Sequence, residues 1–414
     1  MNVRMVSAGD LEEVKRQMRA IGVDKYGIQI MAPKSCMHLV KIEGLSNIAA
    51  NVLKQEMLSL GGDVAVSRGS LTGATKKTDC LVIGNDIQVN RLNEKLRMQP
   101  FKLGELACQI KDVLHNYGRD KFVVKTRRFT LDLKKRPMIM GIVNLTDDSF
   151  SGDGLLNKIK NQKSKIKIVN EAIRFTEKMV EDGADIIDIG GESTRPGARP
   201  VPLKEELARI IPVIKLLVKR IKVPISVDTY KPEVAKQALD AGASIVNDIM
   251  GTDLDNRIAK LVASFDAALI IMHIKGRPRT MQNNPKYKSL MAEIIFGLKG
   301  SIDKALKLGV NSSNIIIDPG IGFGKTSGHN LFILKHLSEL KSLGYPILVG
   351  PSRKSFIGKV LGGVPAHNRL MGTAAACALA VANGANILRV HDVKEVKQVI
   401  KLTQAIRGAK NAAD

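Results

Sequence analysis

The sequence predicts an α/β protein whose last two-thirds form a (β/α)8 TIM barrel. Eight short apolar runs between residues 138 and 391 each end on a polar residue. The long segments between the runs are helix-like, and three of them end on a Gly-Ala pair, at residues 183–184, 242–243 and 384–385. A glycine just past a helix supplies the left-handed residue that ends it. Apolar runs without alternation are typical of parallel strands that are buried on both faces.

The eight runs account for a complete barrel. In order they are MIMGIVN, DIIDIGGE, PISVD, SIVND, ALIIMH, NIIID, PILVGPSRK and NILRVH. No ninth strand is left over, and about 250 residues is the usual size of such a barrel. The alternative is an open doubly wound sheet, which would not need all eight runs.

The first 118 residues are predicted to form a separate small α/β or α+β domain of unknown function. Ser46 can cap a helix that stops at Gly61-Gly62, and VAV and CLVIG are predicted strands. The barrel domain is then residues 119–414. It begins with a basic segment, 119–136, that contains two short strand patterns. We predict a hairpin that plugs the N-terminal mouth of the barrel, and a solvated basic linker is the alternative.

Composition narrows the class of partner. The net charge of +24 is spread over both domains and aromatic residues make up only 4% of the chain, so we expect an anionic small substrate and no nucleic acid. No run approaches the roughly 18 apolar residues that span a membrane. The N-terminus lacks an apolar signal region, so we expect no membrane contact and a cytoplasmic location. The four cysteines are scattered, which indicates reduced thiols and no cysteine metal site.

Polar residues at the ends of the first and eighth runs predict a diphosphate site. Barrels of this kind often hold phosphate after strands seven and eight. Ring closure makes strand eight the neighbour of strand one, so Arg389 and His391 should face Asn144. A guanidinium grips phosphate oxygens, an imidazole donates a hydrogen bond, and an amide oxygen is a ligand that Mg²⁺ accepts. Surface ion pairs of Arg389 and His391 are the alternative.

The ends of four other runs predict a pocket for a planar heterocycle. They carry Asp228, Asn247, Asp318 and Lys354. A carboxylate beside an amide can bind the N–H and C=O edge of an aminopyrimidine-like ring. Two carboxylates at the base of one pocket favour a cationic or donor-rich ligand. Structural roles for one or two of the four residues are the alternative.

The motifs along the barrel resemble those of the dihydropteroate synthase family. The resemblance extends from about Phe122 to Arg407, in order and at family-like spacing. It implies a transferase that condenses 6-hydroxymethyl-7,8-dihydropterin diphosphate with 4-aminobenzoate, releasing diphosphate, in folate biosynthesis. The motifs are GIVNLTDDSFSGDG, GGESTRPGAR, ISVDTYKPEVAKQALDAGASIVNDI, MHIKGRPRTMQ, DPGIGFGKT, GPSRKSFIG and RVHDV.

The resemblance also implies roles for individual residues. Mg²⁺ would bind Asn144, and diphosphate would contact Asn144, Thr194, Arg389 and His391. The pterin pocket would consist of Asp228, Asn247, Met272, Asp318 and Lys354. The arylamine site would be shaped by Phe150, Arg195, Pro196, Phe323 and Ser352. Catalysis would fall to Asp228, Lys354, Arg389 and His391, in a homodimer formed through barrel helices and inhibited by sulfonamides.

The first loop departs from the family pattern. NLTDDSFSGDG stands where the family usually has NVTPDSFSDGG, so Asp147 replaces a proline. Loss of proline frees the backbone, and the added carboxylate lies near the sites of diphosphate and an anionic benzoate. This difference leaves the identity of the arylamine open.

Two other functions are open at this point. A pterin-dependent methyltransferase could use the same barrel with the same Asp and Asn pair, but it would not need the STRPG or SRKS motifs. A non-catalytic pterin-binding or regulatory protein, whose first domain does the signalling, would have no need of intact Asn144, Lys354, Arg389 and His391.

Overall fold

The computed structural model describes residues 1–6, 10–146, 165–193 and 199–409. The chain divides into two compact units, Met1–His115 and Asn116–Asp414. The division falls within a helix, Leu103–Gly118, whose last residue is the predicted end of the first domain.

The first unit is a small α/β structure around one antiparallel sheet. Its three strands lie in the spatial order β1 (Met37–Ser46), β3 (Lys77–Asn85) and β2 (Asp63–Val66). Ser46 caps helix α3 by accepting a hydrogen bond from Ala49 N, as predicted from the sequence. The core is formed by apolar residues of the sheet and helices, among them Leu53, Val82 and Leu92. The elements are α1 (Leu11–Ala20), α2 (Lys25–Met31), β1 (Met37–Ser46), α3 (Asn47–Leu58), β2 (Asp63–Val66), α4 (Arg68–Thr72), β3 (Lys77–Asn85), α5 (Asp86–Leu96) and α6 (Leu103–Gly118).

The second unit contains an eight-stranded parallel barrel. Its strands run in the order β11-β10-β9-β8-β7-β6-β13-β12, and a parallel bridge between Ile317 and Ile347 joins the two end strands. This closure confirms the predicted barrel and excludes the open sheet. The strands are β6 (Met138–Asn144), β7 (Ile186–Gly190), β8 (Ile225–Asp228), β9 (Ile245–Asp248), β10 (Ala268–Met272), β11 (Ile315–Asp318), β12 (Leu348–Val349) and β13 (Ile387–Val390).

Helices surround the barrel and return the chain to the start of each strand. Gly183, Gly242 and Gly384 have φ of 107°, 110° and 103°, the left-handed conformation that glycine adopts without strain. The alanine after each donates its N–H to the last turn of the helix, at 2.9 Å in all three cases. The helices are α7 (Lys165–Asp182), α8 (Leu203–Leu217), α9 (Pro232–Asp240), α10 (Asn256–Ser264), α11 (Leu290–Lys307), α12 (Ser327–Lys335), α13 (Ser355–Val360), α14 (Leu370–Ala382) and α15 (Val393–Arg407).

The basic segment before the barrel forms a hairpin. Strands β4 (Val123–Lys125) and β5 (Thr130–Asp132) pair antiparallel. Their buried side chains, including Val124 and Leu131, pack against the apolar residues at the N-terminal ends of the barrel strands, such as Ile186 and Ile245. The hairpin therefore closes the bottom of the barrel, and the polar strand ends lie at the opposite mouth. Among the helices of the described ranges, none has the length and apolarity that crossing a bilayer requires.

Candidate active site

Three neighbouring strands bring Asn144 and Asp228 to the C-terminal mouth on either side of Gly190. Asn144 is in register with Gly190, and Gly190 with Asp228. A Cβ built on Gly190 would lie 3.7 Å from Oδ1 of Asn144 and 3.5 Å from Cβ of Asp228. Because glycine has no side chain, the space between the amide oxygen and the carboxylate stays open.

Arg389 reaches across the barrel from β13 to two carboxylates. Its Nε lies 2.6 Å from Oδ2 of Asp188, and its Nη2 lies 2.6 Å from Oδ2 of Asp228. The Arg389 side chain is 19% exposed, whereas the side chains of Asp188 and Asp228 are 0% and 8% exposed. Among the described residues, neither carboxylate has a hydrogen-bond partner for its Oδ1. Two buried carboxylates therefore share one guanidinium, and each retains an unused acceptor oxygen.

Burial dominates the electrostatics of Asp228. It raises the pKa of this carboxyl to about 7, with Arg389 opposing the rise and Asp188 adding to it. Desolvation disfavours the charged form, and a second negative charge nearby has the same effect. Burial and the neighbouring Asp188 therefore both favour the protonated form of Asp228, and Arg389 favours the ionised form.

Asn247 has a fixed amide orientation. Its Nδ2 donates to Oδ2 of Asp188 at 3.1 Å, and the residue is 3% exposed. An ionised carboxylate only accepts hydrogen bonds, so the amide must present its nitrogen to Asp188. The carbonyl Oδ1 is consequently turned away from Asp188.

Asp318 and Lys354 form the opposite side of the mouth. Oδ1 of Asp318 accepts from Gly320 N at 2.7 Å, and burial raises the pKa of this carboxyl while Lys354 opposes the rise. Lys354 Nζ donates to the carbonyl of Ile321 and lies 4.7 Å from the ring centroid of Phe323. Burial lowers the pKa of Lys354 to about 8.

A turn after β12 joins the lysine to the eighth strand. Arg353 has φ of 56° and forms an ion pair with Asp392, with Nε 3.0 Å from Oδ2. Ser352 Oγ lies 3.0 Å from His391 Nδ1 and also accepts from His391 N at 3.3 Å. Ser352, which the resemblance assigns to the arylamine, is therefore hydrogen-bonded to the predicted diphosphate residue His391.

An apolar wall borders the pocket next to these polar groups. Met272 ends β10 and is 3% exposed. It packs in a small cluster with Ile249, Ile274 and Met281, against which Phe323 also packs. Such a wall suits the flat face of an aromatic ring, with the polar groups at the ring edge.

Comparisons with known proteins agree with this geometry. The family described as "Pterin binding enzyme" matches residues 140–391. The chain is 48% identical to the dihydropteroate synthase of Synechocystis sp. over 275 residues, which is 66% of this chain and 92% of the relative. It is 40% identical to the dihydropteroate synthase of Escherichia coli over 281 residues, 68% of this chain and 95% of that protein. The chain belongs to the dihydropteroate synthase family.

Solved structures of dihydropteroate synthases have the same fold. The Yersinia pestis enzyme in a sulfonamide drug complex is 39% identical, with a TM-score of 0.64, and the match covers 70% of this chain and 100% of that one. The Xanthomonas albilineans enzyme in complex with 7,8-dihydropteroate is 35% identical, with a TM-score of 0.59, and the match covers 70% and 99% of the two chains. The transferase class and the TIM barrel predicted from the sequence are thereby confirmed.

The structure brings together most of the residues that the sequence singles out as a dihydropteroate synthase site. Asn144, Asp228, Asn247, Asp318 and Lys354 end strands or follow them at one mouth, as do Met272, Phe323, Ser352, Arg389 and His391. Thr194, Arg195, Pro196, Phe150 and the substituted Asp147 lie outside the described residues.

Two buried charged residues of the site were missed in the sequence. Asp188 lies inside the run DIIDIGGE, which was assigned its polar end at Glu192. Asp188 lies between Ile187 and Ile189, which pack outward against the helices. This alternation within an apolar run was the signal that could have identified it. Lys325 is 2% exposed and its Nζ contacts Nδ1 of His273 at 3.0 Å and the Phe323 carbonyl at 2.9 Å. It ties the DPGIGFGKT loop to the end of β10, and burial lowers its pKa to about 7.

Proposed function

We propose that this chain condenses 6-hydroxymethyl-7,8-dihydropterin diphosphate with 4-aminobenzoate, releasing diphosphate and forming dihydropteroate. The observation that carries the proposal is the pairing of Arg389 with Asp228 at the mouth of a pterin-binding barrel. The guanidinium that is assigned to the leaving diphosphate is thus in direct contact with the carboxylate that is assigned to the pterin. The reaction requires these two groups to be neighbours, because the bond that breaks joins pterin methylene to diphosphate.

The pterin half of the proposal rests on unused acceptors in a buried pocket. Oδ1 of Asp228 has no partner among the described residues, although an unpaired buried acceptor costs about 1–3 kcal/mol. The ring N–H and amino groups of the pterin would supply the missing hydrogen-bond donors. Asp318 offers a second carboxylate, Asn247 an amide carbonyl, and Met272 an apolar surface for the ring face.

The diphosphate half rests on Arg389, His391 and Asn144. Nε and Nη2 of Arg389 donate hydrogen bonds to carboxylates. A phosphate oxygen would therefore accept from Nη1. Ser352 Oγ lies 3.0 Å from Nδ1 of His391, and this contact holds the imidazole at the end of β13, beside Arg389. Charge-assisted hydrogen bonds of this kind are about twice as strong as neutral ones.

We propose Mg²⁺ as the cofactor, bound through Asn144. Across the described ranges no three His, Cys, Asp or Glu side chains cluster as metal ligands. Mg²⁺ commonly takes one or two protein oxygens and completes its shell with water and substrate phosphates. Oδ1 of Asn144 beside the bare Cα of Gly190 fits that requirement. When bound, the ion would neutralise charge on the leaving diphosphate.

In the proposed reaction the C–O bond between the pterin methylene and diphosphate breaks, and its electron pair leaves with diphosphate. Arg389 and His391 stabilise the charge that grows on the leaving group. Asp228, when ionised, stabilises the cation that remains on the pterin methylene. The nitrogen of the arylamine attacks that carbon, and the ammonium so formed loses its proton to diphosphate or water.

We propose that the arylamine binds at a site formed by Phe150, Arg195, Pro196, Phe323 and Ser352. The position of Phe323 supports this proposal. Its ring centroid lies 4.7 Å from Nζ of Lys354, a residue assigned to the pterin, so an arylamine that contacts Phe323 would lie beside the pterin.

We propose a cytoplasmic homodimer assembled through barrel helices. Helices α12 to α14 expose large apolar side chains, which on a soluble protein mark an interaction surface. Leu331, Phe332, Val360, Leu361, Met371 and Leu379 are 45–79% exposed.

Diphosphate release with and without amine tests the proposed function. The purified full chain would be incubated with the pterin diphosphate and Mg²⁺, and diphosphate would be measured after adding 4-aminobenzoate. We expect release to depend on the amine, to yield dihydropteroate, and to be inhibited competitively by a sulfonamide. A methyltransferase or a non-catalytic binding protein would release no diphosphate, and that result would refute the proposal. Amine-dependent release that sulfonamides fail to inhibit would point to a different arylamine.

A further inference from the structure

A single oxygen of Asp188 accepts hydrogen bonds from both halves of the site. Oδ2 lies 2.6 Å from Arg389 Nε and 3.1 Å from Asn247 Nδ2. Asp188 is fully buried in the middle of β7, in register with Ile142 on one side and Ser226 on the other. It therefore touches a residue assigned to diphosphate and a residue assigned to the pterin, while lying beneath both.

The contact with Arg389 fixes which edge of the guanidinium is available to a ligand. Asp188 takes Nε–H and Asp228 takes Nη2–H, so the guanidinium is held along one edge. Rotation of the guanidinium about the Cδ–Nε bond would turn Nε–H away from Asp188 and Nη2–H away from Asp228, so both ion pairs oppose it. The remaining Nη1 is then presented in one direction, which is the preorganisation that stabilisation of a leaving group requires.

The contact with Asn247 fixes which end of the amide meets the pterin. A carboxylate has no hydrogen to donate, so only Nδ2 of Asn247 can bond to Asp188. An uncharged amide at position 188 would lose this control, because it could donate to Oδ1 of a flipped Asn247. The charge on Asp188 thus selects an acceptor at the pocket edge.

A purely structural role would not require this residue type. Asp188 is 0% exposed and its Oδ1 has no partner among the residues that the structure describes. A buried carboxylate with an unpaired oxygen costs free energy that an apolar or neutral side chain would avoid. The arrangement is explained if the carboxylate acts on the two residues above it.

We propose that Asp188 is a positioning residue that orients Arg389 toward the leaving diphosphate and Asn247 toward the pterin. The proposal deepens the proposed function and rests on it for the identity of the two ligands. Asp188 itself touches neither substrate. Its effect is transmitted through two side chains, and this makes the proposal testable by coupling between substitutions.

A double-mutant cycle separates this role from a general effect on folding. The variants are Asp188→Asn, Arg389→Lys and the double substitution, since lysine keeps the charge of Arg389 but has no Nε–H edge. Removing a hydrogen-bond partner that orients a metal ligand commonly costs about 10–100-fold in affinity or activity, and we expect a loss of that size in kcat for Asp188→Asn. In the Arg389→Lys background the same change should cost less than it does in the wild type, because only the effect through Asn247 remains and interacting residues are non-additive. Equal losses in the two backgrounds would overturn the proposal.

A binding arm makes the result independent of turnover. The affinity for inorganic diphosphate, measured by calorimetry, should fall in Asp188→Asn and stay unchanged by that substitution in the Arg389→Lys background. Absence of synthase activity in the wild-type chain would refute the proposed function. The diphosphate affinities of the four proteins would still decide the role of Asp188, because they do not depend on turnover. If Asp188→Asn does not fold, Asp188→Ser keeps a neutral acceptor of smaller size and must show the same non-additivity.

Asp248 provides a matched control. It is a buried carboxylate on β9, which β8 separates from β7, and it is 1% exposed with its Oδ1 accepting from Met250 N at 2.9 Å. None of its recorded hydrogen bonds involves Arg389 or Asn247 within the described part of the chain. Asp248→Asn should leave kcat and diphosphate affinity within about threefold of wild type, since Asp248 bonds to neither Arg389 nor Asn247 and its charge raises the pKa of Asp228 less than that of Asp188 does. An equal loss in Asp248→Asn and Asp188→Asn would show a general effect of buried charge and overturn the proposal.

Discussion

Nη2 of Arg389 lies 2.6 Å from Oδ2 of Asp228, and this ion pair joins two sets of residues that the sequence kept apart. From the sequence, Arg389 is predicted to bind phosphate and Asp228 to bind the heterocycle. In the structure one guanidinium balances Asp228 and Asp188 together. Binding of diphosphate and binding of pterin are therefore expected to be coupled, because a ligand that draws on Arg389 changes the field at Asp228.

The pH dependence of kcat/KM follows from two buried groups. Burial raises the pKa of Asp228 to about 7 and lowers the pKa of Lys354 to about 8. Since kcat/KM reports the free enzyme, it should rise through about pH 7 as Asp228 ionises and fall above about pH 8 as Lys354 loses its proton. Lys354→Arg should extend the plateau to higher pH, because arginine stays charged. Profiles of both proteins that overlap above pH 8 would contradict the assignment of Lys354.

Asp318→Asn is expected to weaken pterin binding. The amide cannot accept two hydrogen bonds from one ring edge, and it leaves a buried donor of the ligand unpaired. The loss should be about 1–3 kcal/mol in binding free energy, measured by calorimetric titration with the pterin. Asp240→Asn, at a side chain that is 47% exposed on α9, is the control and should bind as wild type. Unchanged affinity of Asp318→Asn would remove Asp318 from the pocket.

Gly190→Ala is expected to separate metal binding from folding. The added Cβ would make ordinary contacts of 3.5–3.8 Å with Asp228 and Asn144, so the barrel should fold. It would occupy the space beside Oδ1 of Asn144, so Mn²⁺ binding in the presence of diphosphate, followed by electron paramagnetic resonance, should weaken. Gly300→Ala adds a Cβ with open space around it on helix α11 and should change nothing in that measurement. Equal Mn²⁺ affinity in both variants would argue against a metal beside Asn144.

The second unit is expected to fold and work without the first. The site residues of the described ranges all lie beyond residue 140, and Asn116 Nδ2 already bonds to the carbonyl of Ser342 at 3.1 Å. A protein of residues 116–414 should keep synthase activity, because a domain with its own core folds alone. Residues 134–414 lack the hairpin and would expose the apolar bottom of the barrel, so this second truncation should aggregate in light scattering. A soluble but inactive 116–414 protein would show that the first unit contributes to the site.

The sequence was sufficient for the barrel because each strand run ends on a polar residue and each Gly-Ala pair ends a helix. It was sufficient for the residues at strand ends, since parallel strands place their carboxyl ends at one mouth. It was not sufficient for Asp188, which lies in mid-strand and is defined by partners 59 and 201 residues away. It also left the basic segment open between hairpin and linker, because only packing against the strand ends distinguishes the two.

Cleavage of the pterin C–O bond in a single turnover tests most directly whether Arg389 drives departure of diphosphate. Enzyme in excess would be mixed with the pterin diphosphate, Mg²⁺ and 4-aminobenzoate and quenched at increasing times, for wild type and Arg389→Ala. Loss of one preorganised donor typically costs about 10²–10³ in rate, so cleavage should slow by that factor while dihydropteroate and diphosphate still form in equal amounts. A cleavage rate in Arg389→Ala equal to that of wild type would contradict the account.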